Sequence, residues 1–116
     1  MKRSLTRLER VRGRGLIRSL FRSPRKFTCR GLALRITPNG LDFTRILVSP
    51  GRKFGNAVQR NYVKRIAREY YRTHKECIDP GYDLAFIFYS GEYSFQDRCT
   101  QMEGLLKKAG IYHSVT

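Results

Sequence analysis

Arg60, Lys64, Arg68 and Arg72 follow one another at intervals of four. In a helix of 3.6 residues per turn this spacing stacks them along one face, with Asn61 and Arg65 beside the row. A solvated helix face usually interleaves glutamate with lysine, but here the only acid nearby is Glu69. Like charges at i,i+4 destabilise an isolated helix by about 0.2–0.5 kcal/mol per pair. Such a row calls for an external anion. Arginine predominates in it, and a planar guanidinium matches two phosphate oxygens at once. Arg52 and Lys53 stand just ahead, and Gly55 and Asn56 lead into the helix, whose first free N–H groups form a further anion site. Gly55 has two readings: close approach of the backbone to a phosphate, or a simple tight turn.

The charge balance supports this reading. The chain has 116 residues and a formal net charge of +15, which at this length suggests one domain. Residues 1–72 hold 20 Lys and Arg against 3 Asp and Glu, whereas residues 73–116 hold 4 against 6. A polyanion relieves such self-repulsion, which makes nucleic acid the leading partner class. An anionic membrane surface is the lesser alternative, because no long basic amphipathic helix stands alone. No apolar run approaches a membrane span and the N-terminus lacks a signal-peptide core, so a cytoplasmic protein is expected.

Other chemistry finds little support. Cys29, Cys77 and Cys99 form no CxxC or Cys/His cluster, so reduced thiols are expected and a metal site is not. His74 and His113 are isolated. Asp83 and Glu92 are read as structural or solvated acids near loops. No carboxylate pair or Ser/His/Asp set accompanies the cationic row, so no catalytic residues are assigned.

The elements that must position the row can be read in outline. Residues 1–14 are basic and glycine-interrupted and are expected to form a flexible arm, with a single domain over 15–116. A short helix runs from about Leu16 to Arg22, with Leu16, Ile17, Leu20 and Phe21 on one side, and Pro24 ends it. A short strand is possible near Phe27–Arg30. Leu32, Leu34 and Ile36 alternate with Ala33, Arg35 and Thr37, and a second run covers Leu41 to Ser49. With Pro38-Asn39-Gly40 between them, the two runs are expected to pair as a hairpin. Asn56 is a fitting N-cap for the basic helix over 56–74. Val63, Ile66, Ala67, Tyr70 and Tyr62 occupy its core side. Leu84 to Tyr89 is continuously apolar, as in a central strand. The last helix opens on Ser94 and Asp97 at capping-box spacing. It carries an apolar face of Phe95, Cys99, Met102, Leu106 and Ala109, and closes at Gly110. The class is α+β. Because the basic helix follows strands instead of a short helix, single-stranded RNA suits it better than duplex DNA.

The run Lys53-Phe-Gly55-Asn56-Ala-Val-Gln-Arg60-Asn61-Tyr62-Val-Lys64-Arg65-Ile-Ala-Arg68-Glu69 closely resembles the signature of the bacterial ribonuclease P protein component. The flanking elements follow that family's layout over nearly the whole chain. The resemblance implies a two-layer α/β sandwich in αβββαβα order, like the second domain of ribosomal protein S5, with a left-handed βαβ crossover. It implies a 1:1 complex with ribonuclease P RNA, which itself removes the 5′ leader of precursor tRNA using Mg2+; the protein holds no cofactor and no metal. Carried over by position, Arg52, Lys53, Arg60, Asn61, Lys64, Arg65 and Arg68 fall on the RNA-contacting run, with Gly55, Asn56 and Arg72 adjoining. Ile17, Phe21 and Arg35 fall where the leader cleft is expected. Five positions depart from the family pattern, among them Ile17 and Arg35, which stand where aromatic residues are usual. Tyr62 replaces an arginine, and either stacks on RNA or packs at the core edge. Leu47 and Pro50 replace a glycine and a valine. A ribosomal RNA-binding protein and a DNA-binding regulator are the alternative functions.

Overall fold

In the computed structural model, which describes residues 7–114, the elements are α1 (Arg14–Phe21), β1 (Lys26–Cys29), β2 (Leu32–Pro38), β3 (Arg45–Pro50), α2 (Ala57–His74), β4 (Tyr82–Phe88) and α3 (Phe95–Lys108). The four strands form one sheet in the order β1-β2-β4-β3. β4 is antiparallel to β2 and parallel to β3, so β3–α2–β4 is a crossover between parallel neighbours.

The expected hairpin of β2 with β3 does not form. β2 pairs instead with β1 across Arg30-Gly31, and β4 lies between β2 and β3. The unbroken apolar run of β4 needs cover on both faces, which only a central position supplies. The connection after β2 turns across the end of β4. There the Asn39 amide donates to the Phe43 carbonyl at 3.2 Å and to Asp83 Oδ1 at 3.0 Å.

Strand alternation divides the side chains between two faces. Leu32, Leu34 and Ile36 of β2 with Leu84, Phe86 and Phe88 of β4 meet α2 and α3 through Val63, Ala67, Tyr70, Met102, Leu105 and Leu106. The other face carries a smaller cluster, in which Ala85 lets Leu20 of α1 approach, with Val11, Ile17 and Leu47 around it. The expected two-layer sandwich therefore carries α1 on its second face. Of the apolar side expected for α1, Leu20 is fully buried and Leu16 is exposed. On α3, Phe95 is exposed and Arg98, unforeseen in the pattern, is buried.

The expected arm also differs from the structure. Residues 1–6 lie outside the described residues. From Glu9 the chain is packed: Arg10 bridges to Ile46, the Val11 N–H donates to the Ile46 carbonyl at 2.9 Å, and Val11 is buried. Glu9 pairs with Lys75 at 3.0 Å. β3 is an edge strand whose outer polar groups need a partner, and this segment supplies one. Among the described residues no helix is long and apolar enough to cross a membrane.

Candidate nucleic-acid interface

The start of α2 is built by a reciprocal cap. Asn56 Oδ1 accepts the Gln59 N–H at 2.9 Å, and Gln59 Oε1 accepts the Asn56 N–H at 3.1 Å. Gly55 has φ +141°, and a Cβ there would collide with the Gln59 side-chain oxygen. The cap and the turn together account for Gly55 and for the Asn56 side chain without a ligand. Ahead of them, Gly51 to Phe54 make a tight turn, with the Phe54 N–H donating to the Gly51 carbonyl at 3.0 Å. Arg60 Nη1 donates to the same carbonyl at 3.0 Å, so Arg60 ties the loop to the helix. Arg52 and Lys53 stand exposed on that loop.

Along the helix the cations have different surroundings. Asn61 and Arg65 are exposed, and the Arg65 guanidinium lies 5.9 Å from the centroid of the Tyr62 ring. Arg72 is drawn to Glu69, with Nε to Oε2 at 3.1 Å. Lys64 and Arg68 are half-buried and border a recess of about 250 Å³ with Arg10, Arg12, Leu47 and Val48. Among the described residues none of Lys64, Arg65 and Arg68 has a carboxylate partner. Burial, and then the charge of Arg10, lower the Arg68 pKa from the usual arginine value. Arg10 Nε is itself buried without a hydrogen-bond partner. Four cations, Arg10, Arg12, Lys64 and Arg68, thus line one recess whose lining, among the described residues, holds no Asp or Glu.

Arg10 and Arg12 belong to this site although their sequence position reads as an arm. The only signal for them was an apolar residue, Val11, set between two arginines. Tyr71 was also missed. It falls on the cationic side of the helical projection, yet it is buried, and its hydroxyl donates to the Thr44 carbonyl at 3.1 Å. Tyr62, set on the core side by periodicity, is 48% exposed.

The expected cleft residues meet on the second face of the sheet. Ile17 packs on the Val11–Leu20–Ala85 cluster and Phe21 is half-buried. Arg35 lies in one row with Ala85 and Leu47, and its Nη1 donates to the Ser23 carbonyl at 2.7 Å, past the end of α1. Arg12, Arg14, Arg18 and Arg22 are exposed along α1 and its approach.

Several polar groups have partners within the fold. Asp83 is a buried strand residue held by Arg45, with Nε to Oδ1 and Nη2 to Oδ2 both 2.8 Å. His74 stacks on Tyr70 and His113 pairs with Asp79 at 3.0 Å. Burial raises the thiol pKa of Cys29 and of Cys99.

The ribonuclease P family model matches residues 5–110. A ribonuclease P protein component from Clostridium botulinum strain Langeland is 36% identical over 107 residues, covering 90% of this chain and 96% of the relative. The corresponding protein of Thermotoga maritima is 36% identical over 87 residues, covering 75% and 74%. The solved Thermotoga maritima RNase P protein superposes with a TM-score of 0.78 at 28% identity, over 86% of this chain and 96% of that one. A Staphylococcus aureus RNase P protein variant shares the fold with a TM-score of 0.84 at 24% identity, over 90% and 91%. With this signature on α2 and these matches over most of its length, the chain belongs to the ribonuclease P protein family.

Proposed function

We propose that the chain is the protein subunit of a bacterial ribonuclease P and binds its RNA subunit through the cationic side of α2 and the segment beside it. The observation that carries this is the convergence of Arg10, Arg12, Lys64 and Arg68 on one recess without a carboxylate among the described residues. A phosphate backbone satisfies both the charge and the unpartnered Arg10 Nε. Arg52 and Lys53 extend the contact along the loop, and Asn61 and Arg65 along the helix. Gly55, Asn56 and Arg60 shape the loop that presents them.

In this reading the 5′ leader of precursor tRNA lies along the second face of the sheet, between α1 and the row of Arg35, Ala85 and Leu47. Ile17 and Phe21 supply apolar contact there. The exposed arginines of α1 and its approach meet the leader phosphates. Hydrolysis belongs to the RNA subunit, in a 1:1 complex. Among the described residues no three His, Cys, Asp or Glu side chains are gathered as for a metal ion. In this reading magnesium takes its ligands from the RNA, and the protein acts by lowering the repulsion between RNA strands.

Reconstitution with a ribonuclease P RNA and a precursor tRNA tests this. The protein is expected to lower the magnesium concentration needed for 5′ processing, and no change at physiological salt counts against the proposal. Arg65→Ala is expected to reduce the slope of log K against log salt by about 0.7–0.9, the loss of one phosphate contact. Lost affinity with an unaltered slope means that Arg65 does not meet a phosphate.

A further inference from the structure

Beside the start of α2 is a second recess, of about 200 Å³, lined by Phe54, Tyr62, Tyr93, Val63, Ile66 and Arg98. Its aromatic rings come from three separate elements: the loop before α2, α2 itself and the connection from β4 to α3. Tyr62 is 48% exposed, and Phe54 and Tyr93 are half-buried, so ring surface is open to a ligand. Tyr62 stands on α2 between Arg65 and Ile66, at the border of the apolar side, and at 48% exposed it has no role in the core to account for it.

The recess is rigid on one side. The Arg98 guanidinium is buried and lies 4.4 Å from the Tyr93 ring centroid, 5.8 Å from that of Phe54 and 5.2 Å from that of Phe88. It donates to the Gly31 carbonyl at 3.0 Å and the Tyr89 carbonyl at 2.9 Å, which fixes it without any carboxylate. The Tyr93 ring is wedged against Gly31, where a Cβ would come within 2.7 Å of it. The rings are therefore held apart by groups other than themselves.

Cations adjoin two of the lining rings. Arg52 and Lys53 precede Phe54 in the loop, and Arg65 lies over the Tyr62 ring. Aromatic faces flanked by phosphate-binding cations fit one chemical class, an unstacked base of a nucleic-acid strand whose phosphates meet those cations. We propose that this recess takes a single unpaired nucleobase of the RNA partner, with Tyr62 as the stacking face and Phe54 and Tyr93 as the surrounding rings. The inference rests on the RNA-binding reading of α2 and deepens it: the cations bind any strand, whereas the recess requires a base.

Two probes of equal charge separate the contributions. One is a short single-stranded oligouridylate, whose bases stack little on one another. The other is an abasic strand with the same number of phosphates. Affinities of the full-length chain for both are measured by fluorescence anisotropy across a salt series. The wild-type chain is expected to favour the oligouridylate. Tyr62→Ala is expected to weaken oligouridylate binding roughly 5- to 150-fold, the range for one base–aromatic stack. Its abasic affinity and its salt slope stay as in the wild type, and Tyr62→Phe restores the preference. An oligouridylate preference that survives Tyr62→Ala overturns the inference. If Arg65→Ala still flattens the salt slope in that case, the RNA-binding reading stands alone. If neither substitution alters binding of either strand, both fall.

Discussion

Arg45 and Asp83 show how single side chains hold the frame of the site. Asp83 is 3% exposed and meets Arg45 in a two-point ion pair between adjacent strands β3 and β4. Removing one partner of a buried pair leaves an uncompensated charge, at a cost of about 3–5 kcal/mol. Arg45→Met is therefore expected to lower the urea midpoint by an amount equivalent to about 3 kcal/mol, with an unchanged slope. A loss below about 1 kcal/mol would mean that the pair is effectively solvated. Tyr112 makes a second prediction, in alkali. Burial, and then its hydrogen bond to Glu103, push its hydroxyl up to about 12. The folded state thus prefers the neutral phenol. Its contribution is complete below the unfolded value of about 10 and is lost as the pH rises through 12. Unfolding midpoints are expected to fall over that window, and to fall less steeply in Tyr112→Phe. An identical pH profile in the variant would remove Tyr112 from the explanation.

The segment before α1 is the element whose placement matters most for the site. It reaches β3 through Arg10 and Val11, and it reaches α2 through Glu9, which accepts from the Tyr71 hydroxyl and pairs with Lys75 just past the helix. Docked there, Arg10 and Arg12 stand beside Lys64 and Arg68 before any ligand arrives, and the ordering entropy is already spent on folding instead of binding. Val11→Asp is expected to undock this segment. The Val11 amide then loses protection in hydrogen exchange, RNA binding weakens, and the urea midpoint of the domain moves little, because the larger core lies on the other face of the sheet. Unchanged protection at Val11 would show that the segment is held by other contacts.

For the molecule as a whole, the excess charge forms a band of exposed and half-buried cations. It runs from the loop at Arg52 and Lys53 along α2, around the edge of β3 at Arg10 and Arg12, and onto α1 at Arg14, Arg18 and Arg22. Because the band repels itself, anything that binds the folded state and carries dense negative charge should stabilise it. Tripolyphosphate is expected to raise the thermal midpoint at constant ionic strength, and Lys64→Gln with Arg68→Gln to remove much of the gain. Equal stabilisation of the wild type and the double variant would place the anion elsewhere.

Local patterns made much of this legible. The cap at Asn56, the reciprocal cap of Ser94 with Asp97, the cationic row and the central strand all follow from interactions within a few residues, which spacing alone records. The signature on α2 carried the family. Pairing between distant segments is not recorded in this way. β2 and β3 looked like a hairpin because they are neighbours in the chain, yet β4, arriving some thirty residues later, competes for both edges and wins by burying two apolar faces. Arg98 is buried because three rings and two carbonyls from other elements surround it, and no helical periodicity marks an arginine for the interior. Tyr62, on the core side by periodicity, is exposed, and Tyr71, which projects among the cations, is buried, for the same reason. Neighbours along a helix define its faces, but only the packed sheet, loops and N-terminal segment decide which face each ring meets.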